Sequence, residues 1–499
     1  MKILLIYPQY IYHDTYDARS ASLSLLYLGS RLEMEGHNVA IFDASMGPIT
    51  PAESGFVYGV DNEEVIKWLE NKKFDVVGIT CSFAARWRFV TALAEIIKKM
   101  MPDVPVITGG LFPTSKWKFC FEKSRNIDIV MLGEGEDSLA QVVRNLESGA
   151  SISQACIPVD GVVWRDGDEI KKNDKRDYIR DLDRLPFPAW HLIDLNRFFS
   201  IQKNFYELRP PYFTVLSSRG CPEICTFCNM FITHGKRWRF RSPENFVDEL
   251  EFLSKKYKVK NFFIADDNFS FNLERAKNIC KEILKRKLNI HYNTGNGLSI
   301  KRIDKELLEL MKASGCGSVA LAIESGSEVI RNQVYKKRLA TEKIYEAVKW
   351  CNDVGLPSVG FFMVGAPGET RESVDETKRM LKDLPLTLCT CGIYTPYPGT
   401  ELYDDCVQKG YLKEVSPEDE GRLEFATSML KTPDFSPEDV KTWQNKIYLH
   451  FIKHKWNKLI GQLISPKGII TFSHFSIFKR LLNIKELPLK LKKVFKGFF

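Results

Sequence analysis

Two periodicities alternate along the first 150 residues. Short apolar runs (KILLIYP, HNVAIFDAS, FDVVGITC, VPVITGG and IDIVMLGEGE) each end in turn residues. Between them SLLYLGSRLEMEG, EEVIKWLENK, VTALAEIIKKM and SLAQVVRNLES carry apolar residues at helical spacing. Wholly apolar strands alternating with amphipathic helices predict a parallel sheet covered on both faces, a doubly wound α/β domain over 1–150. Residues 151–205 break the rhythm. DGVVWRDGDEI reads as a hairpin about Asp166-Gly167, and DLDRLPFPAW as an extended, proline-held linker. From 206 the alternation resumes and counts to six strands: PYFTVLSS, NFFIADD, IHYNTGN, SVALAIES, PSVGFFMVG and LCTCGIYTP. Six βα units without a reversal fit a partial (β/α)6 barrel over 206–415 better than a second open sheet. Strand patterns then stop, and 416–499 reads as a basic, mostly helical region.

Composition narrows this picture. A chain of 499 residues is too long for one core, and 44% apolar with 27% charged is ordinary globular material. No run of about eighteen apolar residues occurs, so no membrane-spanning helix is expected. MKILLIYP is too short for the apolar core of a secretion signal and reads as a first strand. Nine of the twelve cysteines are scattered, several within apolar runs. They read as small core hydrophobes in a reducing cytoplasm, not as a disulfide framework. The net charge of +8 is segregated: residues 451–499 hold eleven Lys and Arg against Glu486 alone, so the rest of the chain is slightly acidic. With its Phe, Trp, Leu and Ile, that tail reads either as a helical cap on the barrel with lysines facing water, or as an interfacial segment drawn to anionic lipid. The second reading would put the protein at the inner face of the membrane and fit a lipid-like substrate. A nucleic-acid surface is disfavoured, because aromatics and cations would then share a folded platform.

The remaining three cysteines lie together in RGCPEICTFC, as Cys221, Cys225 and Cys228. They follow the first barrel strand, on the face where β/α barrels build active sites. Thiolates at this spacing in a loop can converge on one soft metal centre. A structural zinc would want a fourth ligand, for which His234 is the nearby candidate. A 4Fe–4S cluster held by three thiolates instead keeps one iron open to a ligand. The same rim collects polar and glycine residues from the other strand ends: Asp266 and Asp267, Asn296, Glu324 and Ser325, Gly365 to Gly368, and Tyr394 with Pro396 to Gly399. Helix capping is the competing role for Asp267 and Ser325. In the first domain, no G-x-G-x-x-G follows the first strand and GEGEDS comes only after the fifth, so a nicotinamide dinucleotide site is not expected.

C-x3-C-x2-C after the first strand of a six-unit barrel resembles the radical SAM superfamily. The order VVGITCS, VITGGLFPT, MLGEGED, LPFPAW, RSPENFVDE, FIADDNF, IESGS, GAPGET and YPGTEL resembles its cobalamin-binding subfamily over about 1–415. The resemblance implies that Cys221, Cys225 and Cys228 hold a 4Fe–4S cluster whose open iron binds S-adenosylmethionine. Phe227, Asp266, Asp267, Asn296, Glu324, Ser325, Gly365 and Pro367 are then expected to contact that cofactor. It further implies that Thr80, Cys81, Ser82, Gly109, Gly110, Thr114, Gly133, Glu134 and Gly135 line cobalamin. Two departures stand out. No D-x-H-x-x-G follows the first strand, leaving His13 as the nearest histidine, and Phe112 stands where relatives often have histidine. Both fit cobalt without a protein ligand below it, or a domain that kept the fold and lost the cofactor. The implied activity is methylation of an unactivated carbon, with oxidative ring formation on a porphyrin-like or natural-product substrate as the alternative. Flavodoxin or ferredoxin would serve as electron donor. A cluster- and corrinoid-holding sensor is a non-catalytic rival, and tRNA methylthiolation would need a second three-cysteine set. His291, Tyr394 and Tyr397 are the expected substrate contacts.

Overall fold

In the computed structural model, strand β1 (Lys2–Tyr7) sends Ile3 and Leu5 into one apolar cluster and Leu4 and Ile6 into another. Those clusters are the two helix-covered faces of one sheet, as the period-2 side-chain alternation of a strand requires. The structure describes all residues except 13–18, 20, 53–54, 205–207, 413–427 and 465–499, and of 455–464 the backbone alone. After β1 come β2 (Tyr10–Tyr12), β3 (Asn38–Asp43), β4 (Ile49–Ala52), β5 (Gly55–Tyr58), β6 (Val76–Thr80), β7 (Val106–Gly109), β8 (Ile129–Met131), β9 (Val162–Asp166) and β10 (Glu169–Asn173). The main sheet has the order β10-β9-β8-β7-β6-β1-β3. The chain reverses direction across the sheet at β1, which makes the β1/β6 crevice a topological switch point. Pairing from β3 to β8 is parallel, while β9 joins β8 and β10 joins β9 antiparallel. The hairpin is therefore no free connector; it completes this sheet. A small sheet, β2-β5-β4, escapes the sequence pattern because its strands are short and one contains Pro51.

The LPFPAW stretch is also docked. Leu182, Leu185, Ala189 and Trp190 are buried, and the Trp190 ring lies 4.5 Å from that of Phe213 in the first barrel strand. The second half holds β11 (Tyr212–Val215), β12 (Ser218–Arg219), β13 (Arg239–Phe240), β14 (Asn261–Ile264), β15 (His291–Leu298), β16 (Cys316–Glu324), β17 (Ser358–Val364) and β18 (Leu388–Ile393). Six of these form one parallel sheet, β11-β14-β15-β16-β17-β18, with helices between consecutive strands, the expected partial barrel. The short strands β12 and β13 pair with each other.

An open barrel leaves strand edges to satisfy. At β18 the C-terminal helix Pro437–Ile464 does this. Its Val440, Trp443, Ile447, Tyr448, Phe451 and Ile452 join the barrel's apolar cluster. The Tyr448 hydroxyl accepts the Cys391 N–H at 2.9 Å and donates to the Cys391 carbonyl at 3.1 Å, which also accepts from Gln444 Nε2 at 2.7 Å. Of the tail 451–499, Phe451 and Ile452 join that apolar cluster as the cap reading expects; the side chains of 455–464 and all of 465–499 lie outside the described residues. Among the described residues no helix is long and apolar enough to cross a membrane. Tyr448→Phe strands a buried N–H, and is expected to cost about 1–3 kcal/mol in urea unfolding.

Candidate active site

Cys221, Cys225 and Cys228 are half-buried, whereas the other nine cysteines are fully buried. Cys221 disfavours ionisation of Cys225, and both disfavour that of Cys228. Burial first, and then Cys225 and Cys221, push the Cys228 thiol up to about 12. Burial likewise raises Cys221 and Cys225. Metal loading would have to displace those protons. No three His, Cys, Asp or Glu side chains among the described residues converge as they would around a single ion. His234 packs against the same rim, with its Nδ1 2.8 Å from Asp267 Oδ2.

Two neighbours of the thiols escape sequence reasoning. Asn268 directs Nδ2 at Cys221 Sγ, 3.6 Å away, and its buried Oδ1 has no partner. Lys337 Nζ is 2.7 Å from Glu324 Oε1, with side chains only 14% and 9% exposed. Burial opposes the Lys337 charge, but Glu324 and then Cys225 outweigh it and raise its pKa. Glu324 takes φ +69°, a left-handed conformation that costs a non-glycine residue about 1–3 kcal/mol. That strain sits at the C-terminal end of β16, on the cysteine rim.

The other predicted contacts divide. Phe227 packs edge-on against buried Tyr335, centroids 5.3 Å apart, on the loop itself. Asn296 is exposed on the rim and donates Nδ2 to the Ala265 carbonyl at 2.9 Å, which fixes the amide's orientation. Asp266 is a correction. Its carboxylate is buried and already accepts the Ser217 N–H at 2.6 Å and the hydroxyls of Ser217 and Ser218. Asp267 instead braces the cysteine loop, accepting the Gly220 N–H at 2.8 Å. Ser325 is wholly buried and accepts from the Ser327 N–H at 3.2 Å, so its hydroxyl shapes a turn. Gly365 gives its N–H to Glu369, a Cβ there would strike Val440 at 2.6 Å, and Pro367 is buried beside it. Two expected substrate contacts also fall away. His291 opens β15 and so lies at the end of the barrel opposite the cysteines, and Tyr394 is buried with its ring in the core. Tyr397 is half-buried on the rim, with burial pushing its hydroxyl up to about 12.

Glu369, 1% exposed, accepts from the Gly365 and Ala366 N–H groups, and burial pushes its pKa up to about 7. Between the ordinary carboxyl range and about 7 the folded chain keeps a proton that the unfolded chain releases. Stability is therefore expected to fall as pH rises through that window, by up to roughly 3 kcal/mol, and to level off above it. Anaerobic urea titrations from pH 5 to 8 check this, and Glu369→Gln should flatten the profile.

On the first domain, the predicted cobalamin residues gather at the C-terminal ends of β6, β7 and β8. Ser82, Gly109, Gly110, Thr114, Gly133 and Gly135 are half-buried there and form a shelf of small residues. Gly110 (φ +113°) is required because a Cβ would lie 2.6 Å from the Cys81 carbonyl oxygen. Thr114 donates to the Gly110 carbonyl at 2.7 Å and accepts the Gly133 N–H at 3.1 Å, tying two loops of the shelf. Thr80 and Cys81 are buried, and the Cys81 sulfur turns to the Phe83 carbonyl, so these two contribute backbone, not side chains. Phe112 packs in the core between Trp87 and Phe119. His13 lies outside the described residues. Glu134 is a second correction: its carboxylate is occupied by two barrel arginines and does not face the shelf. The shelf abuts the short helix Phe231–His234 that follows the cysteine loop, since a Cβ on Gly133 would lie 3.3 Å from the Thr233 carbonyl oxygen, five residues past Cys228.

Comparison with known proteins identifies two domain types along the chain. A model of the radical SAM superfamily matches residues 215–381, and a model of the B12 binding domain matches residues 12–143. An uncharacterised methyltransferase of Pyrococcus horikoshii is 28% identical over 453 residues, covering 90% of this chain and 92% of that protein. The anaerobic magnesium-protoporphyrin IX monomethyl ester cyclase of Rubrivivax gelatinosus is 26% identical over 436 residues, covering 87% and 74%. The fold is shared with the radical S-adenosylmethionine methyltransferase TsrM of Kitasatospora setae, solved with cobalamin and a 4Fe–4S cluster, at a TM-score of 0.64 and 18% identity over 83% of this chain and 79% of that one.

Proposed function

We propose, for a chain that belongs to the radical SAM superfamily and carries a B12-binding domain, that it is a cobalamin-dependent methyltransferase acting on an unactivated carbon of a small-molecule or lipid-like substrate. The observation that carries this reading is that the short helix just past the three half-buried cysteines abuts the glycine shelf, Thr233 against Gly133. When bound, the 4Fe–4S cluster and S-adenosylmethionine supply a 5′-deoxyadenosyl radical, and cobalamin supplies a transferable methyl group. Cys221, Cys225 and Cys228 would hold the cluster, with Asn268 and the Lys337 ammonium beside the thiols. Phe227 and the outward face of Asn296 would orient S-adenosylmethionine, and Glu324 would fix Lys337. Ser82, Gly109, Gly110, Thr114, Gly133 and Gly135 would bring backbone up to the corrin. Electrons would come from a flavodoxin- or ferredoxin-type donor.

The test is anaerobic reconstitution with iron, sulfide, a reductant and S-adenosylmethionine. 5′-Deoxyadenosine should form, and a protein that loads iron without forming it would be a sensor. The likeness to a cyclase supports ring formation as a second reading, since both chemistries use the same cofactors. Adding methylcobalamin separates them: S-adenosylhomocysteine with a methylated product marks methyl transfer, and an oxidised product without it marks ring closure.

A further inference from the structure

Both ends of the cysteine loop run to one carboxylate that belongs to the other domain. The loop leaves through β12 and returns through β13, which pair antiparallel with Arg219 opposite Arg239. Arg239 grips Glu134 with two bonds, Nη1 to Oε2 at 2.7 Å and Nη2 to Oε1 at 2.8 Å. Arg219 Nη1 lies 3.3 Å from Glu134 Oε1 and 2.7 Å from Glu136 Oε1. All four side chains are at most 7% exposed. Arg219 stands two residues before Cys221. Arg239 also holds the His234 carbonyl at 2.7 Å, closing the loop behind Cys228. On its own side Glu134 follows Gly133, whose N–H is bonded to Thr114 of the shelf.

A pair that served only to join domains could sit anywhere on their boundary. This one is placed where a change in the glutamate must move the flanks of all three thiols. A planar guanidinium in a bidentate grip fixes orientation as well as distance, which a point charge does not. We propose that Glu134 is a positioning residue for the cysteine loop, acting through Arg219 and Arg239 to set the geometry in which the three thiols hold their cluster. The first domain thereby sets properties of the metal centre in the second. The inference rests on the cluster reading above and deepens it.

The test uses the full chain, reconstituted anaerobically without cobalamin or S-adenosylmethionine. Glu134→Gln keeps the size of the side chain and its acceptor for the Ile179 N–H, and removes the charge. Iron uptake should persist, while the g values of the reduced cluster and its midpoint potential shift beyond the spread of repeat preparations. Glu136→Gln, which removes one partner of Arg219 alone, should shift them less. Should Glu134→Gln fail to fold, Arg239→Lys, which keeps the charge and loses the fork, should show the same displacement. Loss of thermal stability with unchanged g values and potential would make Glu134 mere domain glue and overturn the proposal alone. A wild-type chain that takes up no iron would overturn the cluster reading and this proposal together.

Discussion

Cys225→Ala is expected to leave the chain folded, strip the iron it can carry and reduce 5′-deoxyadenosine formation to background. The residue lies in a half-exposed loop outside the apolar clusters, so its removal opens no core cavity and circular dichroism should be unchanged. The chemistry it supports has no substitute, because two thiolates ligate only two of the four irons of a cube. The neighbouring Cys228→Ala and Cys221→Ala should match it. A buried cysteine such as Cys351, changed to Ala, should retain activity and lose only packing energy. Iron and sulfide content per chain, read beside product formation, checks the series. Persistent cleavage in Cys225→Ala would remove the basis of the functional reading.

Lys337→Met is expected to produce the second largest effect. The change leaves the Glu324 carboxylate, 9% exposed, without its cation on a backbone already in a left-handed conformation. Breaking such a pair should cost about 3 kcal/mol of stability, the low end for buried ion pairs. Converting both partners, Lys337→Met with Glu324→Gln, should recover most of that, because no charge is then left stranded. Activity should not recover with it. The ammonium also faces Cys225 and Cys228, where it offsets thiolate charge. Its loss is expected to slow 5′-deoxyadenosine formation about a hundredfold, equivalent to roughly 3 kcal/mol, in both variants. Unfolding midpoints and initial rates, measured on the same preparations, separate the two roles.

The strands of both sheets were legible because apolar periodicity is local, and so was the cysteine loop, because its spacing is chemical. What stayed hidden depends on contacts distant in the chain. The run RWRFR alternates like a strand with its arginines outward, yet Arg239 and Arg241 are buried and Phe240 is exposed. The cause is Glu134, 105 residues away from Arg239, and Glu249 beside Arg241. Asp266 and Asp267 are adjacent and chemically alike. Only the strand register tells which one turns into Ser217 and Ser218 and which braces the loop. His291 belongs to the predicted strand IHYNTGN, but as the first residue of β15 it sits at the far end of the barrel. The docking of the hairpin onto β8 likewise leaves no local mark, since an edge accepts any strand of suitable length.

The helix that seals β18 bears on how the chain can be divided. The superfamily match stops at Leu381, before β18 begins, yet Gln444 and Tyr448 complete that strand's backbone bonds and Val440 fills the space beside Gly365. An excised catalytic fragment cut at the limit of sequence similarity would lack both its last stave and the bung that shuts it. The shortest autonomous unit for the second half therefore extends through at least Ile452, the last of the helix's described side chains in the barrel's apolar cluster.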